Sequence, residues 1–78
     1  MKNWYRHKSN HSTETLIIYE SPCGQYSISK FEARGFESKG WVFEKKLQFS
    51  PYEETIYSNK SFQDVKQFAK QYIAEKAA

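Results

Sequence analysis

The chain is poor in residues that staple, break or punctuate a fold: its 78 residues include one cysteine, two prolines and three glycines. A single cysteine, Cys23, excludes a disulfide within the chain, and points to a reducing, cytoplasmic setting. The longest apolar run, Leu16-Ile17-Ile18-Tyr19, falls far short of the ~20 residues of a membrane-spanning helix. The first residues contain no apolar stretch of the kind that directs secretion. Gly24, Gly35 and Gly40 are isolated, so no glycine-rich phosphate loop exists. Acidic residues are also missing from the first thirteen positions, where Lys2, Arg6 and Lys8 carry a charge of +3. From Glu14 onward the other nine of the twelve Lys and Arg stand against all nine Asp and Glu. The pI near 9.0 therefore belongs to one end of the chain, and the body is neutral.

Aromatic residues are plentiful: two Trp, six Tyr and six Phe. Each can bury roughly 150–250 Å², which offsets the small size of a single domain. Residues 1–14 are polar and read as a flexible basic tail, with 15–78 as one small α+β domain. Thr15 to Glu20 is β-branched and apolar, a strand. Ser21-Pro22-Cys23-Gly24 has proline and glycine where a turn wants them, and Gln25 to Phe31 alternates as the second arm of a hairpin. Glu32 to Gly40 suits a loop. Trp41 to Phe49 alternates with period two, placing Trp41 and Phe43 on one face and Val42, Glu44 and Lys46 on the other. Lys45 interrupts its apolar face, by snorkelling or at a bulge. Glu54 to Tyr57 is a short returning strand. Ser61 followed by Asp64 resembles a capping box, and Phe62, Val65, Phe68, Ala69, Tyr72 and Ile73 form the stripe of an amphipathic helix. The expected fold is an antiparallel meander of three to four strands, packed on one face by a single C-terminal helix.

Catalytic constellations are missing. Both histidines, His7 and His11, lie in the N-terminal segment, with no rigid element to hold a nucleophile against them. Glu53 and Glu54 are adjacent, so in a strand they point to opposite faces. A metal site would need His7, His11 and the remote Cys23, a poor match to a metal-binding spacing, and solvated histidines are the simpler reading. Cys23 reads as a turn residue rather than a redox sensor. The expectation is a protein that is not an enzyme and uses no metal or cofactor.

Between Lys30 and Lys46, basic residues alternate with Phe31, Phe36 and Trp41. Such interleaving suits single-stranded nucleic acid, but Glu32, Glu37 and Glu44 lie among them and would repel phosphates. Arginine beside an exposed aromatic is also the usual anchor of a protein interface. The expected partner-binding residues are Lys30, Arg34, Phe36 and Lys39, with Phe36 as anchor. Trp4, Tyr5, Arg6 and Lys8 are expected to support the contact, or else to pack as a strand on the sheet. The outer face of the helix, with Gln63, Lys66, Gln67, Lys70 and Gln71, reads as solvated. The strands that end in Ser61-Phe62-Gln63-Asp64-Val65 resemble the arm-type DNA-binding domain of phage integrases, and also small phage-encoded inhibitors that cap a protein surface. The first resemblance implies a DNA-reading open sheet face, yet Val42, Glu44, Lys46 and Gln48 make that face near neutral. The second implies a phage or mobile-element accessory protein. The expected function is a small interaction module that binds another protein. The alternative is weak nucleic-acid binding through the basic N-terminal segment and the Lys30–Lys39 loop.

Overall fold

The computed structural model describes residues 3–10, 14–35, 40–47 and 51–77. Within them the chain forms β1 (Tyr5–Asn10), β2 (Glu14–Glu20), β3 (Tyr26–Ala33), β4 (Trp41–Lys46), β5 (Glu53–Asn59) and α1 (Phe62–Ala77). The strands make one antiparallel sheet in the order β1-β2-β3-β4-β5, a meander in which each strand pairs with its neighbours in sequence. The α+β class and the single C-terminal helix match the sequence expectation. The strand count does not: Tyr5–Asn10, expected as tail, is a fifth strand paired residue by residue with β2. Its side chains are all exposed, so it is held by backbone hydrogen bonds and carries no alternation of polar and apolar residues.

The turn between β2 and β3 forms where its residues direct. The Gly24 amide donates to the Ser21 carbonyl (2.9 Å), and the Tyr26 amide donates to the Ser21 hydroxyl (3.1 Å). Registers then align one row of side chains on each face. On one face Tyr19, Ile28, Phe43 and Tyr57 stand side by side across four strands. β5 is irregular: Phe43 pairs with Tyr57 and Glu44 with Thr55, so Ile56 is an extra residue. The bulge expected near Lys45 therefore lies in the facing strand, where it lets both Ile56 and Tyr57 pack against the core.

α1 lies across this face over β4 and β5. Its stripe buries Val65 and Ala69 against Phe43 and Ile28, two side chains with no solvent exposure. Around them the rings close in: Phe68 stacks on Tyr57 at 4.3 Å, Phe62 meets Trp41 at 4.6 Å and Tyr19 at 5.2 Å, and Tyr72 meets Phe43 edge-on at 5.7 Å. Trp4, just before β1, also packs on this core, which ties down the start of the sheet. Ser61 caps the helix, its hydroxyl accepting from the Asp64 amide at 3.4 Å, while its carbonyl takes the first helical bond from Val65. Ser61→Ala should cost about 1 kcal/mol of unfolding free energy in a urea titration. None of the described helices is long and apolar enough to cross a membrane.

Candidate interaction surface

The helix covers one face of a five-stranded sheet, and among the described residues no element lies over the other. On that second face the cross-strand row His7, Ile18, Ser29, Val42, Ser58 runs the full width. The next row sets Ser9, Leu16 and Phe31 side by side. Leu16, Ile18, Ala33 and Val42 are half-buried by their neighbours, and Phe31 stands above them 52% exposed. Tyr5, 68% exposed, stacks on His7 at 6.5 Å along the β1 side of the patch. A folded monomer seldom leaves aliphatic side chains and a free ring together on one sheet face without using them.

The opposite end of the face is charged. Tyr5, Glu20, Ser27, Glu44 and Thr55 form its row, with Lys46 and Glu53 beyond. Lys46 Nζ lies 3.8 Å from Glu20 Oε1. Glu44 is held above the usual carboxylate range by partial burial first, then by the charge and hydrogen bond of Glu53, against an opposing hydrogen bond to Ser29. A carboxyl whose folded-state pKa is raised binds protons more readily in the folded state. Stability therefore falls as pH rises through its titration, and the folded protein carries an unfavourable charge at neutral pH. Glu44→Gln should raise the melting temperature at pH 7 and leave it unchanged near pH 3, where the carboxyl is protonated in both states.

The residues expected from the sequence divide between places. Arg6 and Lys8 stand exposed on the helix side of β1, in the part of that face which α1 does not reach. Lys30 joins them two strands away, in the row Lys8, Ile17, Lys30, Trp41. Its ammonium is engaged, 2.7 Å from Glu32 Oε1 and 5.7 Å from the Trp41 ring centre. Arg34 is exposed in the turn after β3. Phe36 and Lys39 lie outside the described residues. Trp4 packs on the core and Tyr5 stands on the bare face, so these two neighbours serve opposite sides. Cys23 is exposed in its turn, and its thiol is held below its ordinary pKa, chiefly by a hydrogen bond with the Ser21 hydroxyl at 3.3 Å. Among the described residues no three His, Cys, Asp or Glu side chains gather as metal ligands, and His11 lies outside them.

Phe31 is the exposed ring that the loop reading passed over. The signal was in the strand: Phe31 shares parity with Ser27 and Ser29, the face opposite Tyr26 and Ile28. No protein family, curated protein or solved structure matches the chain.

Proposed function

We propose that this chain is a non-enzymatic binding module whose partner is another protein, recognised through the bare face of the sheet. The observation that carries the reading is the exposed Phe31 ring set on the half-buried aliphatics Leu16, Ile18 and Val42. Anchors of this kind dominate interface energetics: an exposed aromatic on an apolar floor, ringed by polar groups. Arg34, in the turn after β3, supplies a nearby charge, and Tyr5 supplies a second ring. Neutrality of the body favours protein over phosphate backbone as the ligand.

Phe31→Ala should leave thermal stability within about 1 kcal/mol of the parent, because half of the ring is in water already. The same change should weaken a partner by more than about 1 kcal/mol. The test is parallel affinity capture from the native host with parent and Phe31→Ala baits, followed by titration of the purified candidate against both. A protein bound equally by both baits counts against the reading.

One observation favours nucleic acid as a second reading: folding brings Arg6 and Lys8 of β1 and Lys30 of β3 to one face of the sheet, with β2 between them. Anisotropy of labelled single- and double-stranded oligonucleotides at about 50 and 200 mM salt tests it, since phosphate contacts make affinity fall steeply between the two. A steep fall supports nucleic-acid binding, and no binding at the lower salt removes it.

A further inference from the structure

We infer that the outer edge of β1 is a docking site for an extended acidic segment of a partner protein, which adds as a sixth strand with acidic residues alternating with apolar ones. The inference rests on the reading of the chain as a protein-binding module and names the chemistry of the partner.

β1 is the first strand of the sheet and, among the described residues, pairs with β2 alone. Its register with β2 is unbroken from Tyr5 to Asn10, so it is a regular strand whose outward N–H and C=O groups are free to pair. The other edge differs. β5 is bulged at Ile56, opens on Glu53 and Glu54, and has α1 packed over it. Bulges are a common way to blunt an edge, and β1 has neither bulge nor proline.

The two faces of β1 specify what would pair with it. On the helix side stand Arg6 and Lys8, exposed, with Lys30 behind them. Glu32 is the acidic neighbour there and is already held by Lys30 at 2.7 Å. On the bare side stand Tyr5 and His7, stacked on each other and paired across to Glu20 and Ile18 of β2. Cross-strand neighbours stabilise a pair when charges are opposite and when rings meet aliphatic or aromatic side chains. A sixth strand therefore takes carboxylates beside Arg6 and Lys8, and apolar side chains beside Tyr5 and His7. Backbone pairing supplies affinity and this alternation supplies specificity.

A second copy of the chain fits poorly. In a two-fold antiparallel pairing centred on His7, Arg6 faces Lys8 of the copy; centred on Lys8, the two lysines face each other. Like charges directly opposite are destabilising. Arg6 and Lys8 thus discourage self-association while attracting an acidic strand.

The test uses the full chain and labelled peptides of about eight residues, the length of an ordinary strand. One alternates glutamate with valine and one alternates lysine with valine. Two further glutamate peptides are N-methylated at one or the other set of alternate amides. The glutamate peptide should bind and the lysine peptide should not. Only one methylated set should retain binding, because a strand presents alternate amides to its neighbour. Arg6→Glu combined with Lys8→Glu changes two exposed positions, and should weaken the glutamate peptide by about tenfold or more while admitting the lysine peptide. Three results would overturn the inference: equal binding of both charges, equal binding of both methylated sets, or no binding of the glutamate peptide. Failure of the peptides with Phe31-dependent capture intact rejects the edge site and leaves the binding-module reading standing. Loss of both rejects both.

Discussion

Phe43→Ala should lower the free energy of unfolding by about 3–5 kcal/mol, the largest loss expected from any single truncation in this chain. Phe43 is completely buried at the centre of the covered face. Its ring stacks on Tyr26 at 5.7 Å and meets Phe68 and Tyr72 edge-on at 6.4 and 5.7 Å. Removing it opens a cavity that no single neighbour can fill, because the surrounding rings are themselves pinned between sheet and helix. A domain of 78 residues has roughly 4–12 kcal/mol of total stability. The truncation therefore consumes much of it, and the melting temperature should drop by roughly 15–30 °C. Phe43→Leu, which keeps most of the volume, should lose less than half as much. Equal losses from the two substitutions, measured by urea unfolding, would show that ring packing is not what holds the helix to the sheet.

Gly40→Ala should cost roughly 2–4 kcal/mol although it adds a single methyl group. Gly40 is buried with φ +85°, a conformation that L side chains rarely adopt. A Cβ there would lie 2.7 Å from the Asn59 carbonyl oxygen and 2.8 Å from the Lys60 Cα, both backbone atoms. The contact cannot relax by turning a side chain. Asn59 is also a junction: its side-chain amide donates to the Tyr57 hydroxyl (3.1 Å), and its side-chain oxygen accepts from the Ser61 amide (2.9 Å). Displacing Asn59 disturbs the passage from β5 into the cap of α1. Gly35 provides the control, because it has the same φ of +85° but open space where its Cβ would go. Gly35→Ala should cost only the backbone strain, about 1 kcal/mol. A Gly40→Ala loss no greater than that of Gly35→Ala would mean that β4 and the β5–α1 junction are not in close contact.

The parts of the fold legible from sequence are those where side chains alternate. β4 declares itself through Trp41 and Phe43 against Val42 and Glu44, and α1 through Val65, Ala69 and Tyr72 behind a serine cap. β1 was not legible in that way, because Tyr5-Arg6-His7-Lys8-Ser9-Asn10 buries no face and is specified by its pairing with β2. Its neighbour β2 is apolar on both faces at Leu16, Ile17, Ile18 and Tyr19, a pattern that reports on its faces and leaves its edges unspecified. The bulge at Ile56 was equally hidden, since an extra residue in one strand shows only in the register with another. As for the surface, the sequence drew attention to charge in the Lys30–Lys39 loop and in the first eight residues. Folding set Arg6, Lys8 and Lys30 on one face, and left the opposite face, apolar at one end and charged at the other, as the broader feature. Strand parity already assigned Phe31 to that face. Among the described residues that face stays uncovered because α1 packs on the other one.

The central claim is that the bare sheet face, and not the helix, meets the partner. The most direct measurement is a titration of the purified partner with three proteins: parent, Phe31→Ala and Lys70→Ala, the last on the exposed outer surface of α1. The expected result is a loss of at least about fivefold in affinity for Phe31→Ala, with Lys70→Ala unchanged. An unchanged affinity for Phe31→Ala together with a loss for Lys70→Ala would contradict the claim and move the interface to the helix.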